Sequence, residues 1–112
     1  MEAWKIADAK TLEGKAEEAA RLLEALANPR RLMILCELAN GERSVGELLP
    51  IVGLQQAALS QHLARLRAEG IVATRRESQT IFYRLASPAA VAVINTLADI
   101  FCRPSKPKRG SR

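Results

Sequence analysis

The side chains with the most distinctive chemistry in this chain are two cysteines, Cys36 and Cys102, and one histidine, His62. Thiols can bind soft metals, form disulfides or react with oxidants, and an imidazole can bind metal or carry protons. A closed tetrahedral zinc site needs four ligands, and the sequence has no phosphate-binding loop, no paired Cys-His-Asp set and no second histidine. We therefore predict no enzyme activity, no cofactor and no metal site.

The two cysteines differ in their predicted surroundings. Cys36 lies in the apolar stripe of a predicted helix, where a free cysteine commonly fills space. Cys102 ends the last predicted helix beside Arg103. We expect it to be partly accessible, since a neighbouring cation favours the thiolate while the helix C-terminus opposes it. On these residues alone, two packing residues and a reactive dithiol are both possible.

A helix with two dissimilar faces is predicted between Gly53 and Gly70. At ~100° per residue, three leucines form a buried stripe: Leu59, Leu63 and Leu66. The opposite face carries small and hydrogen-bonding side chains: Ala57, Ser60, Gln61, Ala64 and Arg65. Such a face suits the major groove of DNA, where short side chains permit close approach and polar ones reach base edges or phosphates. A face turned to solvent is the alternative.

The segments before and after this helix give the order of elements found in a winged helix-turn-helix: helix, turn, helix and hairpin. Residues 71–76 and 80–85 are rich in β-branched and aromatic side chains and predict a hairpin, with a basic finger near its tip: Arg75, Arg76 and Gln79. Upstream, Ser44 is the expected N-cap of a short helix and Gly53 lies in the following turn. The predicted fold is a winged helix-turn-helix, mainly α with a small β-hairpin, containing five helices plus the wing.

Composition places the basic charge unevenly. The net charge is +5, but residues 103–112 carry five basic groups and no acid, so the 12 remaining basic groups match 12 acidic ones. We predict an N-terminal extension over 1–10, one winged helix-turn-helix domain over 11–102 and a disordered basic tail over 103–112. The tail is either a solubility segment or an arm that follows DNA phosphates. Without a membrane span or signal-peptide core, a cytoplasmic bacterial protein is expected.

Two further helices are predicted to frame the dimer. Residues 11–27 repeat apolar side chains at helical spacing: Leu12, Ala16, Ala19, Leu23 and Ala27. Ser87 and Pro88 open a last helix that continues to Cys102, and this helix is apolar around most of its circumference. That composition suits a helix pressed between its own core and a partner subunit.

Several motifs together resemble the bacterial ArsR/SmtB repressors over about residues 15–102. They are Asn28-Pro-Arg-Arg31, Ser60-Gln-His-Leu63, Gly70-Ile-Val72 and Phe82-Tyr-Arg-Leu85. The resemblance implies a homodimer, joined by its first and last helices, that represses transcription and leaves a palindromic double-stranded operator when an inducer is sensed. The predicted DNA contacts are Gln55, Gln56, Ser60, Gln61, His62, Arg65, Arg75, Arg76 and Gln79.

The nature of the inducer is inferred from the absence of the family's metal ligands and the presence of two cysteines. Ser44 and Gly46 stand where metal-binding members have cysteines, and Asp99 is left without histidines on the last helix. With Cys36 and Cys102 present, the chain resembles the thiol- and persulfide-sensing branch, the SqrR/BigR type. This implies redox sensing, in which reactive sulfur species or oxidants link the thiols through a disulfide or polysulfide. A metal-responsive repressor with a non-standard site and an inducer-independent DNA-binding protein are the alternatives.

Overall fold

The computed structural model describes residues 9–102, so the predicted basic tail and most of the predicted N-terminal extension lie outside the described residues. Six helices and three strands follow one another along this part of the chain. They are α1 (Ala9–Glu13), α2 (Ala16–Leu26), α3 (Pro29–Leu38), β1 (Arg43–Ser44), α4 (Val45–Val52), α5 (Gln56–Ala68), β2 (Val72–Glu77), β3 (Thr80–Leu85) and α6 (Pro88–Phe101).

The first predicted helix is divided in the structure. A turn at residues 14–15 separates α1 from α2, so six helices replace the expected five. Leu12 and Leu23 are 51% and 55% exposed in the single subunit, while Ala25 and Leu26 reach the core. Apolar residues cover more of this segment than one subunit core can bury, and sequence periodicity did not indicate which side faces that core.

Local capping explains where the central helices begin. Asn28 is the N-cap of α3, and its side chain accepts hydrogen bonds from the backbone N–H groups of Arg30 and Arg31. Ser44 caps α4 in a reciprocal arrangement with Glu47, as its predicted N-cap role requires. Gly53 ends α4 with φ +68°, a left-handed conformation that costs glycine little. The predicted turn between α4 and α5 is therefore confirmed.

The wing is a three-stranded antiparallel sheet in the order β1-β3-β2. Within the predicted hairpin, Val72 pairs with Leu85 and Glu77 pairs with Thr80. The short strand β1, not expected from the sequence, adds the pairs Arg43 with Tyr83 and Ser44 with Phe82. A two-residue strand has too little pattern to be recognised, and its pairing depends on a distant partner.

One hydrophobic core joins the helices to the base of the wing. Its fully buried members include Leu35 of α3, Leu48 of α4, Leu63 of α5 and Ile94 of α6, together with Ile71 just before β2. At its far end α6 leaves this core, since Ile100 and Phe101 are 63% and 78% exposed. No helix within residues 9–102 is long and apolar enough to cross a membrane.

Candidate DNA-binding surface and dithiol pair

Helix α5 has the two faces predicted from its sequence. Leu59, Leu63 and Leu66 are 0% exposed and hold the helix against the core. The predicted DNA-facing side chains of this helix and its N-cap are exposed, apart from His62: Gln55, Gln56, Ser60, Gln61 and Arg65. Within the described part of the chain none of these five makes a side-chain hydrogen bond or ion pair, so all are free to meet a ligand.

The position of α5 is set by the preceding helix and turn. The Arg30 Nη1 donates a hydrogen bond to the Val52 carbonyl oxygen at 2.9 Å, at the last residue of α4. The same guanidinium nitrogen lies 3.8 Å from where a Cβ on Gly53 would stand. Arg30 therefore satisfies a carbonyl at the end of α4 and packs close to the turn that directs α5.

His62 sits on a different side of α5 from the free polar residues. It is half-buried, and its Nδ1 lies 3.3 Å from Nη1 of Arg31 on α3. Because a guanidinium can only donate, Nδ1 accepts this hydrogen bond and the imidazole carries its proton on Nε2. Burial lowers the pKa of His62, and the nearby Arg31 charge lowers it further. His62 is therefore a neutral contact between helices, and DNA contact by it stays a prediction.

The two arginines of the wing have different surroundings. Arg75 donates through Nε to both carboxylate oxygens of Glu42, at 2.8 and 2.9 Å, and through Nη1 to Glu77 at 3.0 Å. It also lies over the Phe82 ring, 4.7 Å from the centroid. The hydrogen bonds to Glu42 and then Glu77 raise the pKa of Arg75. Its charge is thus already matched by acids within the molecule.

Arg76 and Gln79 are exposed and have no acidic partner among the described residues. Arg76 follows Arg75 on β2, so it projects from the opposite face of the strand, and its Nε donates to the Ser78 carbonyl oxygen at 3.3 Å. Gln79 lies in the exposed turn beside Ser78, whose φ is +61°. Of the three wing residues predicted to contact DNA, Arg75 is the one that must first exchange its acidic partners.

The two cysteines come together although they belong to different helices. Cys36 is half-buried on α3, Cys102 is exposed just after α6, and both are free thiols. The Cys102 thiol is near enough to Cys36 to act on it electrostatically. Burial raises the pKa of the Cys36 thiol, and the nearby Cys102, followed by the charge of Glu37, raises it further. The exposed Cys102 thiol is therefore a neighbour of the half-buried Cys36 thiol.

Metal binding has less support from the geometry. Among residues 9–102, no group of three or more histidine, cysteine, aspartate or glutamate side chains is arranged to hold a metal ion. Ser44, which stands at one family metal position, instead caps α4 with its side-chain oxygen. The dithiol pair is therefore the arrangement with reactive potential in this part of the chain.

Comparisons with known proteins agree with this geometry. Residues 28–74 match the arsR family of bacterial regulatory proteins. The biofilm growth-associated repressor of Agrobacterium fabrum is 52% identical over 95 residues, which cover 85% of this chain and 81% of that protein. The chain belongs to the ArsR family. Its relatives regulate transcription, so it is a DNA-binding transcriptional regulator and not an enzyme.

Solved structures extend the likeness to three dimensions. The transcriptional repressor BigR from Xylella fastidiosa superposes with a TM-score of 0.80 at 47% identity, covering 86% of this chain and 98% of that one. Reduced HlyU from Vibrio cholerae gives 0.79 at 49% identity, covering 83% and 98%. The winged helix-turn-helix prediction is confirmed, and BigR represents the branch that the cysteine positions indicated.

Sequence reasoning missed what three charged residues of this ArsR-family chain do. Arg30 and Arg31 were used to identify the family, yet their side chains satisfy backbone carbonyls at the ends of α4 and α2. The sequence contains a signal for the two arginines. Cations in the first turn of a helix interact unfavourably with its dipole, which indicates that their side chains bind groups outside that helix. Glu42, which binds Arg75, gave no local signal because its partner is 33 positions away.

Proposed function

We propose that this ArsR-family regulator is a homodimeric repressor that releases a palindromic operator when reactive sulfur species or oxidants link Cys36 to Cys102. The observation that carries the proposal is the proximity of these two free thiols, one on α3 and one at the end of α6. A cytosolic dithiol is ordinarily kept reduced. A bridge that forms under stress therefore acts as a signal.

DNA binding is assigned to α5 and the wing. The exposed and unpartnered side chains of α5 supply groups for base edges and phosphates, and the buried leucines fix the angle of the helix. Arg76 and Gln79 extend the surface onto the wing tip. Arg75 contributes when Glu42 gives way to a phosphate, and His62 supports α5 from its half-buried side.

Dimerisation is assigned to the apolar surface that the subunit leaves uncovered. Leu12 and Leu23 of the first two helices and Ile100 and Phe101 of α6 are all more than half exposed. Large apolar side chains in such number favour burial by a second subunit. A two-fold dimer would present two copies of α5 about 34 Å apart, the separation of successive major grooves.

The switching reaction balances with a persulfide as the oxidant. The accessible Cys102 thiolate attacks the terminal sulfur of R–S–SH, forming Cys102–S–SH and releasing R–SH. Cys36 then attacks the Cys102 sulfur, forming the disulfide and releasing H₂S, so the two protein thiols are oxidised and one sulfane sulfur is reduced. With a second persulfide molecule, an added sulfur is retained as a trisulfide, and two R–SH and one H₂S leave. A peroxide gives the disulfide and water.

Bridging couples the sensor to the DNA-binding surface through α3. This helix carries Cys36 in its last turns and, in its first turn, Arg30 and Arg31, which contact α4, α2 and α5. Tying α3 to the end of α6 constrains a helix assigned to the dimer interface, which alters the spacing of the two α5 helices. A 100-fold loss of operator affinity requires ~2.7 kcal/mol of coupling.

A gel-shift titration of the reduced protein tests this proposal. A duplex selected from random sequences by the wild-type protein serves as the probe, and an organic persulfide is the inducer. Wild-type protein is expected to release the duplex and to regain it after reduction, whereas Cys36→Ser and Cys102→Ser are expected to stay bound. Mass spectrometry should find the linked cysteines, with added whole sulfur atoms if a polysulfide forms.

Other outcomes identify the alternatives. Normal release by either serine variant would show that the dithiol is not the switch. Retention of stoichiometric zinc or copper after dialysis, with metal-dependent release, would indicate a metal-responsive repressor. Binding that responds to neither reagent would indicate an inducer-independent DNA-binding protein.

A further inference from the structure

One side chain outside the proposed DNA contacts joins three helices. Arg31, in the first turn of α3, donates from Nε to the Ala25 carbonyl oxygen at 2.5 Å and from Nη2 to the Glu24 carbonyl oxygen at 3.4 Å. Its Nη1 reaches His62 on α5 at 3.3 Å. A single planar guanidinium therefore connects the last turn of α2 to the middle of α5.

We propose that Arg31 is a positioning residue for DNA binding, which holds α5 in place through His62 and does not itself contact DNA. The inference rests on the proposed role of α5 as the recognition helix. It can be tested in the reduced protein without operating the dithiol switch, because neither cysteine takes part in the contact.

The direction of the guanidinium has a physical cause. Carbonyl oxygens in the last turn of α2 carry the negative end of the helix dipole, so they attract a cation. Arg31 is half-buried, whereas Arg65 and Arg67 on α5 are exposed. Three nitrogens of the rigid Arg31 guanidinium thus donate to two carbonyl oxygens and one imidazole. This orients His62 and the helix that carries it.

Protonation of His62 would break this contact. An imidazolium has no acceptor at Nδ1 and would bring a second positive charge against Arg31. No carboxylate of residues 9–102 lies within ion-pair distance of His62 to compensate. On the elements packed against α5, Glu47 of α4 is held in its capping box. The charges of β2 lie at its exposed end: Arg75, Arg76 and Glu77.

The sign of the pH effect follows. The pKa of His62 in the folded protein lies below its ordinary value of about 6.5. The contact is therefore intact above pH ~6.5 and is lost as the pH falls through the lowered value. A histidine that contacted a DNA phosphate directly would do the reverse, because its protonation would strengthen binding.

The first test is a pH profile of binding by reduced full-length protein to the selected duplex. His62 is the only histidine in the chain. Acidification from about pH 8 to about pH 5.5 is expected to weaken wild-type binding about tenfold, the equivalent of one hydrogen bond to a charged group. His62→Gln keeps an acceptor for Arg31 without a titrating ring, so its profile should be flat. Wild-type binding that is unchanged or strengthened at low pH would overturn the proposal.

The second test separates positioning from phosphate contact by salt dependence. Arg31→Gln is expected to bind about tenfold more weakly with the same slope of log affinity against log salt concentration, because no phosphate contact is lost. A slope smaller by about one would show that Arg31 contacts a phosphate and would overturn the proposal. Arg67→Gln, an exposed charge on α5 without a hydrogen bond or ion pair in the described residues, is the matched control for charge removal.

Two controls separate a failure to fold, and a failure of the proposed DNA-binding function, from a failure of the positioning role. Thermal unfolding identifies an Arg31→Gln variant that fails to fold, in which case the His62→Gln pH profile decides. A wild-type protein that selects no duplex would contradict the proposed function together with this inference. A bound but pH-insensitive wild type contradicts the positioning role alone.

Discussion

The proposed recognition helix and the wing hold their polar side chains in opposite ways. Helix α5 is anchored by three leucines without exposed surface, and the polar residues on its far side have no partner among the described residues. On the wing, β2 is exposed from Arg75 onwards, yet Arg75 already binds Glu42 and Glu77. A charged side chain can therefore be exposed to solvent and still be unavailable to a ligand, because it is already paired.

The difference has consequences for DNA affinity. A free side chain on a rigid helix gains a new interaction when it meets DNA, whereas Arg75 must give up one ion pair to form another. An exchange of this kind contributes little net free energy. We therefore expect α5 to supply most of the affinity and the wing to refine it.

The largest effect is expected from removing an anchor of α5. Leu63→Ala deletes a completely buried side chain and should lower the free energy of unfolding by about 2–5 kcal/mol. Ile81→Ala, at a half-buried position of the wing, should cost less than about 2 kcal/mol. Urea unfolding at matched protein concentration measures both, with exposed Gln61→Ala as the control. Equal losses would contradict the difference in anchoring.

The next effect concerns a free side chain of α5. Arg65→Ala should weaken binding to the selected duplex by about 1–3 kcal/mol, since it removes one base or phosphate contact. Fluorescence anisotropy at fixed salt concentration measures this loss, and Arg67→Ala on the same helix is the matched control. An unchanged affinity for Arg65→Ala would count against the assignment of this face to the major groove.

The smallest effect is expected at the wing. Arg75→Ala should weaken binding about twofold to fivefold, less than Arg65→Ala, because the charge it removes is already paired. Glu42→Gln removes one of the two acidic partners of Arg75 and should strengthen binding by a similar factor and steepen its salt dependence. The double variant identifies the cause, since Glu42→Gln should have no such effect once Arg75 is absent. A loss at Arg75 as large as at Arg65 would remove the distinction between the two regions.

Much of the fold could be predicted because its signals are local. The leucine spacing of α5, the Ser44 cap, the turn at Gly53 and the β-rich runs of the wing each act within a few residues, and the structure contains all of them. The division between α1 and α2 was not predicted. Helical periodicity tolerates a break at a glycine, and an apolar segment does not by itself indicate which side will be buried.

The candidate site was predictable to a lesser extent. The polar face of α5 follows from the same spacing that defines its core face, so its residues could be named in advance. The states of Arg75 and His62 could not, because each depends on a partner from another element: Glu42 for Arg75 and Arg31 for His62. The availability of Arg75 and the lowered pKa of His62 therefore depend on these partners and not on the residue type alone.

By itself the sequence determined the order of the helices and the wing, the membership of the ArsR family and the two faces of α5, because periodicity and capping act along the chain. Only the tertiary structure decided three things: that Cys102 lies near Cys36, that Arg75 is paired with Glu42 and that Arg31 joins α2 to α5. These contacts form between residues distant in sequence, and hydrogen bonding and charge pairing require separations of a few ångströms that packing of the core alone provides.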